Sequence, residues 1–170
     1  EDIAFQIAPR INAAGRMDNP YLPLKLLLEQ NWDRALENAM ELDSLNSRRK
    51  TLQNYMYEQA VQIVEEEQRD EGIFVLYNAS WHEGVLGIVA GKVAEQYRRP
   101  CICLTLKDDG FTATGSARSV GNVSIYELLV DSEDYLLKFG GHKQAAGMSL
   151  NVEKLELFPR HIQALLPKEK

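Results

Sequence analysis

The sequence predicts an α/β fold: a mixed β-sheet flanked by helices, preceded by a long helical connector. Residues 33–68 carry apolar side chains at helical spacing, with no proline or glycine among them. After Asp70-Glu71-Gly72 short apolar runs alternate with helical patterns, as they do where strands and helices share one sheet. Asp108-Asp109-Gly110 is a hairpin signal, so at least one pair of strands runs antiparallel. With 170 residues, 45% of them hydrophobic, the chain has enough apolar surface for an ordinary core.

In chain order, Ile7, Ile11 and Ala14 share a helical stripe, and Gly15 is a natural stop. A second helix is predicted from Pro20 to about Glu29, with Leu22, Leu26 and Leu27 as its apolar face. Residues 33–68 are either two helices hinged near 44–47 or one connector between domains. Their Glu65-Glu66-Glu67 end reads as a solvated face rather than a metal site, because consecutive helical residues point in different directions. Residues 73–77 form a first strand and 78–84 a polar loop. Residues 85–99 form an amphipathic helix, with Val85, Ile88, Val89, Val93 and Tyr97 on one face. Gly87 and Gly91 allow close approach to that helix, and Pro100 ends it. Residues 101–106 make a second strand and 111–117 return beside it. Ser124 caps a short helix over 125–130. The Gly140-Gly141 pair reads as a loop, 147–151 as a last strand, and 153–166 as a closing helix ending at Pro167. The division expected is a helical connecting region over 1–69 and an α/β domain over 70–170.

The formal net charge of −6 argues against broad, charge-driven nucleic-acid binding and leaves room for a local basic cleft. Cys101 and Cys103, the two cysteines, would share one face of a strand, a poor geometry for a disulfide. They predict reduced core thiols and a cytoplasmic protein. No CxxC pair is present to hold zinc, and the apolar runs are too short to span a membrane. The first residue is Glu1, not Met, so a piece of a longer protein is expected.

Three polar stretches are expected at the ends of elements in the second half: Trp81-His82-Glu83-Gly84, Gly115-Ser116-Ala117-Arg118-Ser119 and Gly140-Gly141-His142. Sites in α/β sheets gather where loops leave strand ends. If these loops converge they supply a guanidinium, serine hydroxyls, backbone amides and two histidines, which suits an anion. Trp81 could stack on a base, although a core tryptophan is the commoner outcome. Arg10 and Arg16 either grip phosphates or pair with nearby acids.

With the opening segment Ala8-Pro9-Arg10-Ile11-Asn12-Ala13-Ala14-Gly15-Arg16-Met17, these stretches resemble the bacterial RecJ family of single-strand-specific DNA exonucleases. The matching motifs are completed by Val85-Leu86-Gly87-Ile88-Val89-Ala90 and Ala145-Ala146-Gly147, in the family's order over roughly residues 3–150. The glycine-pair-histidine motif alone is similar to the wider group of DHH-associated domains, which includes alanyl-tRNA synthetase tails and small phosphodiesterases. The resemblance implies two lobes joined by a long helix, the first holding two Mn²⁺ or Mg²⁺ ions through an Asp-His-His run and other residues, the second gripping DNA. No Asp-His-His run is present here; His82, His142 and His161 are the three histidines. The metals are therefore expected on residues outside this chain, and this piece alone is expected to be inactive. The parent is expected to digest single-stranded DNA, 5′ to 3′, in repair and recombination. A single-strand-binding protein and a helicase are implied partners, and a monomer is expected. His142 is the candidate for chemistry at the scissile phosphate. Arg118, Ser116, Ser119, Gly140 and Gly141 are the candidate nucleic-acid contacts, with His82, Arg16 and Arg10 behind them. The alternatives are a phosphodiesterase acting on short oligonucleotides or cyclic dinucleotides, a pure nucleic-acid-binding module, and a helical half that serves as a dimerisation surface.

Overall fold

Pro9 sits in the first turn of helix α1 (Ala8–Arg16), where its missing N–H costs no hydrogen bond. The computed structural model describes residues 3–17 and 19–166. Glu1 and Pro167, on which two expectations fall, lie outside them. The chain forms two compact units, within residues 1–55 and 56–170. In the first, α1 follows a π-helical turn, Ile3–Ile7, and precedes α2 (Leu22–Leu28) and the start of α3 (Trp32–Ile63). Ala14, Leu22 and Leu42 make its small core, with Leu26 and Leu45 packed against them. Gly15 does not stop α1, which ends one residue later when the Met17 N–H bonds back to the carbonyls of Ala13 and Ala14. Leu27, expected in the apolar face of α2, is exposed. The helix is only seven residues long, and Leu22 and Leu26 use up its inward stripe.

No hinge interrupts 44–47. α3 runs straight through and continues into a π-helical turn, Val64–Gln68. Ser44 and Ser47 stay on the solvent side, and the Thr51 hydroxyl donates back to the Ser47 carbonyl, so these polar residues stay within the helical hydrogen-bond pattern. The compact units divide inside α3, ahead of the 69/70 boundary expected from sequence. Residues 56–69 pack with the sheet: the Trp81 indole N–H donates to Gln59, and Tyr97 donates to Glu65 at 2.6 Å. Burial and that carboxylate push the Tyr97 phenol up to about 12.

The second unit is built on a five-stranded mixed sheet in the order β1-β2-β3-β5-β4. β1 (Phe74–Tyr77) and β2 (Cys101–Leu106) are parallel and joined through α4 (Leu86–Tyr97), a βαβ unit. β3 (Thr112–Arg118) returns antiparallel from the Asp108-Asp109-Gly110 turn, as expected. There the Phe111 and Thr112 N–H groups donate to Asp109 Oδ1 at 3.0 and 2.8 Å. Hydrogen bonding from Thr112, then from the Phe111 amide, holds the Asp109 carboxyl below its ordinary range. α4 ends on Arg98, whose left-handed backbone (φ 56°) turns the chain before Pro100 is reached.

One face of the sheet buries Val75, Ile102, Leu104, Ala113, Ala117, Met148 and Leu150 against α5 (Ile125–Val130) and α6 (Phe158–Ala164). Ser124 caps α5 by accepting from the Glu127 N–H. The closing helix starts later than expected. Asn151 caps a short 3₁₀ turn, Val152–Lys154, and Pro159 in the first turn of α6 sets the new start. The opposite face receives α4, which covers β2 and β3 and buries both Cys101 and Cys103. The thiols share one face with their sulfurs 3.9 Å apart, hydrogen-bonded and not joined in a disulfide, and burial pushes the Cys101 thiol well up.

One stretch expected as a loop is a strand: Lys138–Gly141 forms β4, hairpin partner of β5 (Ala145–Asn151). The segment 115–117, expected in a returning strand and also placed in a polar stretch at its end, lies inside β3, which extends to Arg118 and is paired on both sides. Glycine has no side chain with which to display a period of two, so neighbouring strands, not local sequence, decide this conformation.

Candidate nucleic-acid interface

β3 alternates small residues. Ala113 and Ala117 point into the α5–α6 core, which leaves Thr112, Thr114, Ser116 and Arg118 on the α4 face. Gly115 must be glycine, since a Cβ there would stand 2.8 Å from the Cys103 carbonyl and closer still to Leu104. Arg118 is half-buried and runs along α4. Its Nη1 donates to the Ala117 carbonyl at 2.8 Å, and its side chain lies against Gly87 and Gly91.

Arg118 pairs with Ala145 across β5, and Ala145 exchanges both backbone hydrogen bonds with His142. Arg118 and His142 therefore stand two strands apart at one end of the sheet, about 10 Å between backbones. Four further bonds pin this end together. Ser119 Oγ donates to the Val123 carbonyl, the Ser119 N–H to Gln144, Gln144 Nε2 to Gly121, and the Ile125 N–H to Lys143. His142 is exposed at the hairpin tip. Gly141 beside it has φ 150°, and a Cβ there would fall 2.4 Å from the Ala145 carbonyl oxygen.

The row Gly140–Gly147–Ser116 crosses the same face. Gly140 and Gly147 are exposed, and a Cβ on Gly140 would meet nothing within 4 Å. Phe139, between Lys138 and Gly140, packs into the opposite core beside Tyr126. Lys138 thus shares the face of Gly140, a cation the sequence reading passed over. Its signal was the alternation Lys138-Phe139-Gly140, visible only once the glycine pair is read as strand.

The third motif stands elsewhere on this face. The Trp81–Gly84 stretch leaves the far end of β1 and is tied to β2, where Thr105 Oγ1 donates to the Trp81 carbonyl at 2.7 Å. Trp81 itself is buried, so it takes the core role. His82 caps the turn Glu83–Val85, its Nδ1 accepting from the Gly84 N–H at 3.1 Å. Glu83 reaches Thr114, four residues along β3 from Arg118 and about 13 Å away. The three motifs therefore do not meet as loops at one rim. They are strung along one face, and the Trp81–Gly84 stretch reaches Arg118 through α4.

In the first unit Arg10 Nε pairs with Asp43 at 2.8 Å, the structural one of its two expected roles. Arg16 is exposed and close to Arg49, a residue that no sequence motif marked. Burial first, then the Arg16 charge, pulls the Arg49 guanidinium below its ordinary value. Among the described residues, no three His, Cys, Asp or Glu side chains cluster to hold a metal ion. No described helix is long and apolar enough to cross a membrane.

Comparison with known proteins places this geometry. The family model for the DHHA1 domain matches residues 70–168. The chain belongs to the DHHA1 domain family. The RecJ proteins carry the resemblance further: the chain is 39% identical over 153 residues to the single-stranded-DNA-specific exonuclease RecJ of Bacillus subtilis, covering 90% of this chain and 20% of that protein. It is 39% identical to the RecJ of Haemophilus influenzae over 95% of this chain and 29% of the relative. The chain thus spans under a third of the length of these relatives. Two crystal structures align with a TM-score of 0.85. Thermus thermophilus RecJ in complex with Mg²⁺ is 35% identical over 96% of this chain and 25% of that one. An exonuclease RecJ bound to manganese is 34% identical over 98% of this chain and 42% of that one. The expected RecJ resemblance and the mixed α/β fold both stand. The sheet face bearing Arg118 and the Gly140–His142 strand end lies inside the DHHA1 domain.

Proposed function

We propose that this chain is the strand-gripping part of a single-stranded-DNA exonuclease, and that the open sheet face of its DHHA1 domain receives the DNA backbone. Arg118 and Ser116 contact phosphate, the guanidinium as a charge-assisted donor. Gly140 and Gly141 let the backbone of the strand approach β4, and His142 stabilises charge on a phosphate oxygen at the hairpin tip. Ser119 and His82 hold neighbouring turns in place, and Arg16 is a further phosphate contact carried by the first unit. The observation that supports this best is the placement of Arg118 and His142 at one end of a face left open over glycines.

The metal-bound relatives point to Mn²⁺ or Mg²⁺ in the complete enzyme. In this reading the metal ligands and the hydrolysis belong to residues outside this chain, and the chain alone is inactive. We assign the parent a 5′ to 3′ polarity and a cytoplasmic role in repair and recombination, as a monomer that works with a single-strand-binding protein and a helicase. Residues 70–170 form the DNA-facing domain and 1–69 the connecting region.

The test is titration of labelled oligo-dT with a full-length protein carrying this chain, in chelator so that nothing is cut. Arg118→Ala should weaken binding and reduce the salt slope by about one. An unchanged affinity and slope would remove Arg118 from the site. If His142→Ala weakens binding there but leaves turnover intact in a parallel assay with Mn²⁺ supplied, the domain only binds and does not assist chemistry.

A further inference from the structure

Resting on the reading of Arg118 as a phosphate contact, we infer that Gly87 is a positioning residue whose missing side chain makes the seat for the Arg118 guanidinium. Gly87 is the second residue of α4, where a helix would be better served by almost any other residue. A Cβ built on it would stand 2.5 Å from Arg118 Nη2, 3.2 Å from Cζ and 3.5 Å from Ser116 Cβ. The first distance is shorter than real side chains show and the second is tight, so the guanidinium occupies the volume that alanine would take.

One turn further on, Gly91 lies under the stem of the same side chain, 3.8 Å from its Cγ to a built Cβ, an ordinary contact. Arg118 is thus held at three levels. Its backbone is fixed in a strand paired on both sides, its stem passes Gly91, and its head lies on Gly87 with Nη1 bonded to the Ala117 carbonyl. A guanidinium held this way surrenders little rotamer freedom when it meets a phosphate. The two motifs, one on α4 and one on β3, are therefore a single device. The helix supplies a flat place, and the strand lays the cation on it beside the Ser116 side chain.

The experiment uses the full-length protein and labelled oligo-dT in chelator. Gly87→Ala should raise Kd about tenfold, the loss of one charged contact. It should lower the salt slope by about one, as Arg118→Ala does. The unfolding midpoint should not drop, because the atom displaced is the far end of a flexible side chain. Adding Gly87→Ala to Arg118→Ala should change neither Kd nor slope further. If Arg118→Ala raises Kd and lowers the slope while Gly87→Ala changes neither, the seat does not exist. If Arg118→Ala changes neither, it is the phosphate reading that fails. Should Gly87→Ala lower the midpoint, the comparison moves to Arg118→Lys, which has no Nη2 to strike the new methyl. Gly87→Ala must then cost less binding beside lysine than beside arginine, and an equal cost overturns the inference.

Discussion

The two edges of the sheet are finished in opposite ways. On β1 the outer edge is closed by side chains. Gln68 donates to the Val75 carbonyl at 2.8 Å and accepts from the Val75 N–H at 2.9 Å, and the Ile73 N–H donates to Gln163. The glutamine amide stands in for a sixth strand, so the edge offers no template for another chain. On β4 the outer edge is a short run, Lys138–Gly141, with only Phe139 turned inward. One edge is sealed by the chain's own polar groups, and the other is left bare next to Arg118 and His142. In the proposed reading, the β4 edge is the side that meets the DNA.

That contrast can be broken from either side, and the largest effect belongs to the bare edge. Gly141→Ala drives a methyl into the backbone of Ala145 and Ala146 at a φ that side chains avoid. It should cost about 3 kcal/mol, read by urea unfolding followed by circular dichroism. At the closed edge, Gln68→Ala strands the N–H and carbonyl of Val75, which is 6% exposed, and should cost about 2 kcal/mol in the same measurement. Gly140→Ala sharpens the comparison, because it meets nothing within 4 Å. Stability should stay within about 0.5 kcal/mol of the parent, or rise, while oligo-dT binding by the full-length protein weakens. Loss of stability without loss of binding would show that this edge is structural.

The smallest effect is a control away from both edges. The Asp109 carboxyl has a lowered folded pKa, so it contributes stability above the ordinary carboxylate value, and that contribution is lost as pH falls through the folded pKa. The difference in unfolding midpoint between the parent and Asp109→Asn should therefore shrink from about pH 5 to about pH 3, with neither edge involved.

Much of this architecture is legible in the residues. The Asp108-Asp109-Gly110 turn and the Ser124 cap each act within a few residues, and the elements they bound begin close to where they were expected. What stayed hidden depends on distant partners. The strand state of Gly140-Gly141 comes from pairing with β5. The continuity of α3 through 44–47 comes from serines that remain solvated and a threonine that bonds within the helix. For the candidate site, the motifs name Arg118 and His142 and suggest close approach at Gly87, but not what approaches. That needs the pairing that carries β3 beneath α4. Lys138 and Arg49 went unseen because a lone cation on an edge strand or a long helix bears no local signature.

Cys101 and Cys103 lie wholly beneath α4, with no exposed surface on either thiol. A thiol-alkylating reagent can reach them only in molecules whose strand β2 has been uncovered. Their rate of modification therefore serves as an internal clock for opening of the domain, read without introducing a label.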